Sequence, residues 1–286
     1  MRIELQKKVD QALRLIVAAG RRAEERQQLL EIAFSGGKDS EVILELAKMA
    51  GTNFVPIYKN TTIDPPGTIA HNRAKGCKII QPKLSFREII AKKGFPNRWR
   101  RLCCSELKEY PVLDTAVIGV RRAESRARFN RYHEPEVCRV WNKTKHITTR
   151  QYLPLLEWTD RDVAEFIEER NIQCHPIYYD ENGRFHAERR LGCMCCPLLS
   201  KPKRIESFKQ YPAMVRYYIR AGEKFLQNHP NCKTAQLFQG NTYDWFVSQV
   251  FFDGERQFHE TIQYDLFGKS LFSAKEFLMN KFQVDL

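Results

Sequence analysis

The stretch EIAFSGGKDSEVILELAKM, residues 31–49, decides the fold that the sequence predicts. Residues 29–34 form a short apolar run typical of a strand, and residues 41–49 carry apolar side chains at the spacing of one helix face. Gly36 and Gly37 lie between them and allow the tight turn and the close backbone approach that an anion needs. A strand, a glycine turn and a helix N-terminus together favour a phosphate site over an ordinary capped turn.

The residues of this turn offer several kinds of phosphate contact. Backbone N–H groups and the hydroxyls of Ser35 and Ser40 can donate hydrogen bonds, and Lys38 adds a full positive charge. Asp39 is a candidate ligand of Mg²⁺, with helix capping as its alternative role. The spacing differs from that of a Walker A loop, which has four residues between its first glycine and Gly-Lys-Ser/Thr. The predicted phosphate contacts are Ser35, Gly36, Gly37, Lys38, Asp39 and Ser40.

The motif SGGKDS, residues 35–40, resembles the PP-loop of the ATP pyrophosphatase (adenine nucleotide alpha-hydrolase) superfamily, whose members bind ATP, APS or PAPS. The resemblance implies a Rossmann-like α/β fold with a doubly wound, mainly parallel sheet, and alternating strand and helix patterns support it. We expect an N-terminal helix in residues 1–28, a nucleotide-binding domain containing the cysteine groups in 29–200, and a mostly helical C-terminal appendage in 201–286. Within the appendage, residues 204–227 are predicted to form one helix.

Five of the nine cysteines occur in two tight groups, Cys103-Cys104 and three within residues 193–196. Cys193 and Cys196 have the C-x-x-C spacing that lets two thiolates reach one metal centre, and the Cys-Cys pair could complete a set of four. Four thiolates suit a [4Fe–4S] cluster or a tetrahedral Zn²⁺, and the residue pattern does not separate the two. A redox dithiol and buried structural cysteines are the remaining interpretations.

The order of these cysteines and of a basic segment resembles the PAPS reductase family. Cys103-Cys104 is followed by Lys108 and Pro111, then by G-x-R-R-x-E-S at residues 119–125, and later by G-C-x-x-C. The likeness is strongest to phage- and bacterium-encoded members of unassigned substrate. Iron–sulfur members of the family place two such cysteine pairs around a [4Fe–4S] cluster. By this resemblance Cys195 has no counterpart, and the metal ligands are Cys103, Cys104, Cys193 and Cys196.

Two further loops are predicted to meet the nucleotide. One follows the second strand, at the edge of a parallel sheet where ligands bind, and it resembles a nucleotide-contacting loop of the family. The other follows a later strand, where a glycine permits a turn and two arginines can fork onto phosphate or sulfate oxygens. A solvated basic loop is the alternative interpretation of the second. The residues concerned are Thr61, Thr62, Asp64, Gly119, Arg121 and Arg122.

The 286-residue chain carries 47 Lys and Arg against 34 Asp and Glu, a formal net charge of +13. This excess favours a polyanionic partner, either a nucleotide or a nucleic acid, with a basic surface that has no partner as the alternative. No apolar run reaches the ~18 residues of a membrane span, and the N-terminus lacks a signal-peptide pattern. We therefore expect a cytoplasmic protein with no membrane partner and with reduced cysteines.

The leading interpretation is a PAPS reductase-like PP-loop enzyme that binds ATP, or a sulfonucleotide such as APS or PAPS. With a [4Fe–4S] cluster it would carry out adenylation-dependent sulfur transfer, and a nucleic acid acceptor would fit the net charge. A cysteine desulfurase or thioredoxin would then be the sulfur or electron donor. The residues expected to act in catalysis are Lys38, Asp39, Arg121 and Arg122.

Two other functions stay open. The first is an APS or PAPS reductase that produces sulfite. It is disfavoured because those enzymes use a C-terminal segment of the type Glu-Cys-Gly-Leu-His, whereas here Cys232 lies in His-Pro-Asn-Cys-Lys. The second is a non-catalytic nucleotide-binding protein in which the cysteines hold a structural metal such as zinc.

Overall fold

The computed structural model describes residues 1–252, 255–263 and 271–286, and its contacts divide the chain into two compact units. The first, called the sheet unit, comprises Met1–Asn60, Pro65–Gln81 and Tyr110–Gly192. The second, called the cysteine unit, comprises Thr61–Asp64, Pro82–Glu109 and Cys193–Leu286. The domain boundaries expected near residues 28 and 200 remain a prediction. In the part of the chain that the structure describes, no helix is both long and apolar enough to cross a membrane.

The elements are numbered in chain order. The strands are β1 (Leu30–Ala33), β2 (Phe54–Lys59), β3 (Lys78–Ile80), β4 (Thr115–Val117), β5 (Glu136–Asn142) and β6 (Ile147–Tyr152). The helices are α1 (Ile3–Glu25), α2 (Lys38–Ala50), α3 (Thr68–Ala74), α4 (Phe86–Lys93), α5 (Leu102–Leu107), α6 (Arg126–Arg131), α7 (Asp160–Glu169), α8 (Lys201–Gln210), α9 (Ala213–Asn228), α10 (Lys233–Leu237), α11 (Thr242–Phe251), α12 (Glu255–Thr261) and α13 (Ala274–Phe282). Short 3₁₀ turns occupy Arg122–Glu124 and Pro176–Tyr178.

A six-stranded sheet in the order β3-β2-β1-β4-β6-β5 forms the centre of the sheet unit. All neighbouring strands are parallel except β5 and β6, which form an antiparallel hairpin. The chain builds outward from β1 on both sides, so the strand order reverses between β1 and β4. This confirms the predicted α/β fold with a doubly wound, mainly parallel sheet and C-terminal helices. Ligands of such sheets bind outside the carboxyl ends of the strands at the point of reversal.

The long helix α1 covers the sheet because its apolar residues recur every three or four positions. Leu5, Val9 and Ile16 are at most 1% exposed and pack in one core with Ile32 of β1 and Val117 of β4. This burial explains why a helix rich in charged residues is stable here, since the charges lie on the opposite face.

The cysteine unit is helical and has an aromatic core. The rings of Phe95 and Trp245 lie 4.0 Å apart between centroids, and Tyr218 is buried among further aromatic rings. The prediction of one helix over residues 204–227 is wrong, because the helix breaks between α8 and α9. Pro212 follows Tyr211 at the break, and a residue before proline is disfavoured in helical conformation. Parts of the predicted appendage, residues 253–254 and 264–270, lie outside the described residues.

Candidate nucleotide site and cysteine cluster

The PP-loop joins the carboxyl end of β1 to the N-terminus of α2. Gly36 has a φ of 79°, and a Cβ atom there would lie 2.6 Å from Oδ1 of Asn72, so no side chain fits. Gly37 is the N-cap residue of α2 and, being a glycine, has no side chain to cap the helix. The first turn of α2 therefore presents backbone N–H groups and the positive end of a helix dipole, which is the arrangement that binds phosphate.

Hydrogen bonds hold this loop in place. The hydroxyl of Ser40 donates to the carbonyl of Gly37 at 2.6 Å, and the N–H of Gly37 donates to the Ser35 hydroxyl at 3.3 Å. The N–H groups of Lys38 and Leu191 donate to the hydroxyl of Tyr178, at 3.1 and 3.2 Å. Tyr178 is 2% exposed, and its burial raises its pKa, so the hydroxyl stays neutral. Sequence analysis missed Tyr178, because nothing near it in the chain marks it as a partner of the loop.

Charged side chains link the PP-loop to the carboxyl end of β4. Asp39 accepts a hydrogen bond from Nε of Arg121 at 2.7 Å, and Nη2 of Arg121 donates to Asp160 at the same distance. Lys38 is only 4% exposed, and its Nζ lies 3.6 Å from Asp39. A Cβ atom on Gly119 would lie 3.2 Å from the Asp39 carbonyl group, so glycine permits this close approach. The structure thus brings together the predicted loop residues, Gly119 and Arg121.

Both predicted anion-binding arginines have protein partners. Arg121 is 1% exposed and is held by two carboxylates. Arg122 donates to Glu157 at 2.8 Å, and its guanidinium lies 4.2 Å from the centre of the Phe129 ring. Their contact with phosphate or sulfate remains a prediction, as does a Mg²⁺ at Asp39.

A buried polar cluster beside the loop was not predicted. Glu41, which is 2% exposed, accepts from His71 at 2.5 Å and from Lys75 at 2.9 Å. His175 is 3% exposed, and burial lowers its pKa. Both polar atoms of the Asn72 side chain are buried, with no hydrogen-bond partner among the described residues. Glu41 lies on α2, whereas the other residues of the cluster come from α3, from the residue after it and from the segment before Pro176–Tyr178, and no short motif connects these segments to the PP-loop.

The four predicted metal ligands all belong to the cysteine unit. Cys103 and Cys104 lie on α5, and Cys193 and Cys196 lie in the loop that leads to α8. A hydrogen bond from the Cys103 thiol, together with Arg101, lowers the pKa of Cys104 to about 6. The same hydrogen bond and burial raise the pKa of Cys103, and negative charge on Cys196 and Cys193 acts in the same direction. The Cys103 thiol therefore interacts electrostatically with the other three thiols.

Lys108 and the loop after β2 surround Cys193. Burial raises the pKa of the Cys193 thiol, and the charge of Lys108 opposes this shift. Desolvation acts to lower the pKa of Lys108, but the negative charges of Cys193 and Asp64 raise it overall. Thr61 lies 3.7 Å from the sulfur of Cys193, and the Thr62 hydroxyl accepts from the N–H that begins α4. Thr61, Thr62 and Asp64 thus belong to the unit that contains the thiols, and their contact with a nucleotide remains a prediction.

Cys195 is a structural residue. Its side chain is fully buried in the core of the cysteine unit, which raises its pKa to about 12. Its carbonyl accepts from the hydroxyl of Tyr218 at 3.0 Å, and its N–H donates to Ser207 at 3.0 Å. A thiol in this setting is a poor nucleophile and a poor metal ligand.

The four cysteines meet some, but not all, of the requirements of a metal centre. Four thiols have the right type and number for a [4Fe–4S] cluster or for Zn²⁺. Over residues 1–252, 255–263 and 271–286, however, no three His, Cys, Asp or Glu side chains are placed so as to hold a metal ion. The number and type of the four thiols fit a [4Fe–4S] cluster or Zn²⁺, but the positions of their side chains do not form such a site. The assignment of the four cysteines as metal ligands therefore remains a prediction.

Comparison with known proteins gives both sequence and structural likenesses. An uncharacterized protein of Methanocaldococcus jannaschii, MJ0066, is 25% identical over 214 residues, which cover 69% of this chain and 42% of that protein. The chain spans less than half of the length of the three curated relatives it matches. The PAPS reductase of Candida auris, crystallised as a phosphate complex, is 18% identical with a TM-score of 0.41, over 62% of this chain and 90% of that one. The U34-tRNA thiolase NcsA of Methanococcus maripaludis, solved with its [4Fe-4S] cluster, is 16% identical with a TM-score of 0.38, over 79% of each chain.

The family comparison covers the PP-loop and both cysteine pairs. The model of the phosphoadenosine phosphosulfate reductase domain matches residues 30–199, which is more than half of the chain. The match begins at β1 and ends just beyond the C-x-x-C pair. It confirms the resemblance drawn from SGGKDS and from the order of the cysteines, and at the family level it confirms a nucleotide-binding PP-loop enzyme. The chain belongs to the phosphoadenosine phosphosulfate reductase domain family.

Proposed function

We propose that this protein binds ATP, transfers the AMP moiety to an acceptor and prepares that acceptor for sulfur insertion. The observation that carries the proposal is the complete SGGKDS loop, which lies at the point of strand reversal and whose N-cap residue, Gly37, has no side chain to cap α2. A loop of this kind has donors for the β- and γ-phosphates that ATP has and that APS and PAPS lack. ATP is therefore the nucleotide that the loop suits best.

In the first step, an oxygen of the acceptor attacks the α-phosphorus of ATP. A new P–O bond forms, the bond to the β-phosphate oxygen breaks, and pyrophosphate leaves with that electron pair. The backbone N–H groups at the start of α2 bind the phosphate oxygens, and Lys38 neutralises the charge that develops on the leaving group. Arg121 acts as a positioning residue, because its guanidinium pairs with both Asp39 and Asp160 and so holds Asp39 beside Lys38.

In the second step, sulfur replaces the AMP group. A hydrosulfide ion attacks the activated atom, a bond to sulfur forms, and AMP leaves with the oxygen and its electron pair. If the donor is the persulfide of a cysteine desulfurase, a thiol reductant such as thioredoxin supplies the two electrons that release its outer sulfur as hydrosulfide. A [4Fe–4S] cluster on Cys103, Cys104, Cys193 and Cys196 would supply a bound site for that sulfur. Lys108 would balance part of the negative charge of such a site, since it already lies within hydrogen-bond reach of Cys193.

Sulfite formation from APS or PAPS is the less favoured function. Reductases of that type use a catalytic cysteine in a C-terminal segment, and Cys232 is the cysteine that follows α9 in the described residues. Its sulfur accepts a hydrogen bond from the N–H of Ala235 at 3.4 Å and caps α10. A thiol engaged in this way is a poor candidate for that role.

ATP binding and pyrophosphate release test the nucleotide half of the proposal. Lys38→Ala is expected to lower both by about 100-fold, because an electrostatic contact to the phosphates is lost. Lys48→Ala is the matched control, since Lys48 lies on the same helix with a 57% exposed side chain. Equal activity of the two variants would contradict the role given to Lys38.

Anaerobic purification with iron, sulfide and zinc assays tests the metal half. We expect about four iron and four sulfide per chain, lost in Cys103→Ala and retained in Cys138→Ala. Cys138 is an exposed cysteine of β5 and serves as the control. Stoichiometric zinc in place of iron would exclude cluster-based sulfur transfer and would leave a nucleotide-binding protein with a structural metal.

A further inference from the structure

Trp99 is the most exposed large apolar side chain among the described residues, at 93% of its surface. It lies in the segment Asn97-Arg98-Trp99-Arg100-Arg101, called here the Trp99 loop, which leads directly into α5 and the Cys103-Cys104 pair. A fully exposed tryptophan contributes no burial free energy to folding. Large exposed aromatic side chains are typical of binding surfaces.

The Trp99 loop is a closed turn with a fixed shape. The side-chain oxygen of Asn97 accepts from the N–H of Trp99 at 3.0 Å and from that of Arg100 at 2.8 Å. The N–H of Asn97 in turn donates to the carbonyl of Arg100 at 3.1 Å. Phe95, two residues earlier, is 5% exposed and packs on Trp245 in the core of the cysteine unit. The indole is therefore presented outward by an anchored turn, which lowers the entropy that a ligand must overcome on binding.

The positive charges beside Trp99 are not neutralised. Arg98 donates to the carbonyl of Leu199 at 3.2 Å, and Arg100 donates to that of Lys93 at 3.4 Å. A carbonyl carries no net charge, and neither arginine forms an ion pair within the described residues. Each guanidinium has five N–H groups, so further donors remain for an anion.

The third arginine connects the loop to the thiols. Arg101 pairs with Glu109 at 3.1 Å and is the N-cap residue of α5, the helix that carries Cys103 and Cys104. A ligand on the Trp99 loop would therefore lie beside the Cys103-Cys104 pair, within the same unit.

We propose that the Trp99 loop binds single-stranded nucleic acid. Trp99 stacks on an unpaired base, and Arg98 and Arg100 contact the phosphates on either side of it. Stacking aromatics flanked by cations are the combination that binds single strands, because every base has an aromatic face and every nucleotide a phosphate. The net charge of +13 supports the same class of ligand. This inference rests on the proposed function, because it identifies the sulfur acceptor as a single-stranded nucleic acid. Its test measures nucleic acid binding and does not require enzymatic turnover.

The test uses the full-length protein, purified anaerobically, and a short fluorescein-labelled RNA of mixed sequence. We expect the RNA to quench tryptophan fluorescence in the wild type but not in Trp99→Phe. Fluorescence anisotropy should show that Trp99→Ala weakens RNA binding by about 5- to 150-fold, the range for the loss of one stacked base. Trp99→Phe, which keeps an aromatic face, should lose only a few-fold. Arg100→Gln should weaken binding and lower the slope of log affinity against log salt by about one.

Control measurements separate stacking from charge. Arg256→Gln removes a charge from a 92% exposed side chain of the same unit and should leave the affinity unchanged. The duplex form of the same RNA should bind more weakly than the single strand, because its bases are already stacked. Heparin should compete for binding without quenching Trp99.

Four results would overturn the inference. The first two are the absence of RNA binding and an unchanged RNA affinity in Trp99→Ala. The other two are equal quenching of tryptophan fluorescence by ATP alone, and a change in Trp99 fluorescence on adding a cysteine desulfurase but not on adding RNA. Normal iron content and ATP binding in Trp99→Ala, together with loss of RNA binding, would support it. If RNA fails to bind while ATP binding and iron content are as expected, this inference fails and the proposed function stands.

Discussion

Gly36 and Gly51 both have positive φ angles, 79° and 64°, but their surroundings differ. A Cβ atom on Gly36 would lie 2.6 Å from Asn72, whereas one on Gly51, at the end of α2, would meet nothing within 4 Å. Gly36→Ala is therefore expected to reduce ATP affinity at least about tenfold and to cost about 2–3 kcal/mol of unfolding free energy. Gly51→Ala should cost only the backbone strain of about 1–2 kcal/mol and leave ATP affinity unchanged.

The same contact can be tested by compensation. Asn72→Ala removes the side chain that would collide with a residue at position 36, so the double variant with Gly36→Ala should be less impaired than the sum of the two single variants. Urea unfolding and ATP titration of the four proteins measure this coupling. Strict additivity would show that the contact with Asn72 does not decide the need for glycine.

At the scale of elements, ion pairs connect the N-terminal end of α1 to α7. Asp162 has a side chain that is 3% exposed and pairs with Lys8 at 2.6 Å and with Arg2 at 2.8 Å. Although burial acts to raise it, hydrogen bonds from Lys8 and Thr159 hold the pKa of Asp162 well below its usual value. A lowered folded-state pKa stabilises the protein above the ordinary carboxyl pKa of about 4, and this stability is lost as the pH falls below it.

Lys8→Met should therefore destabilise the protein by about 1–3 kcal/mol at pH 7, and the difference from wild type should shrink as the pH falls below about 4. Lys7→Met is the matched control, because Lys7 is exposed and lies one residue earlier on α1. Urea midpoints of the three proteins between pH 7 and pH 3 give the comparison. A difference that stays constant over this range would show that the ion pair does not contribute through the ionisation of Asp162.

The elements that sequence predicts well are those with a strong local pattern. The helix α1 follows from its apolar periodicity, and the order β1, PP-loop, α2 follows from SGGKDS. The short helix α5 was not predicted, because six residues around Cys103-Cys104 carry no clear periodicity. The placement of Tyr178 and Asn72 against the PP-loop could not be predicted, since it depends on contacts between segments distant in the chain. The same limit applies to Arg121, because no local sequence pattern indicates that its side chain is buried between Asp39 and Asp160.

At the scale of the molecule, the two units are interleaved along the chain, since residues 61–64 and 82–109 of the cysteine unit come between parts of the sheet unit. Phe86, Ile89 and Ile90 are fully buried in a core that they share with residues after 193. A chain that ends at residue 200 should therefore expose this apolar face of α4 and aggregate. Gel filtration and a urea unfolding curve of that fragment test this expectation. A monomeric fragment that unfolds cooperatively would contradict it and would favour an independent domain in residues 29–200.

This interleaving also sets an order of events during synthesis. Residues 82–109 leave the ribosome roughly 80 residues before Cys193, a delay of about 4–17 s at bacterial and eukaryotic elongation rates. During that time the sheet unit can receive all six of its strands, while α4 and the Cys103-Cys104 pair still lack the core that will cover them. The nascent chain therefore passes through a stage with a complete sheet, an uncovered apolar helix and two thiols without their later neighbours. If the four cysteines hold a metal centre as proposed, it can assemble only when this stage has ended, because it needs both cysteine pairs.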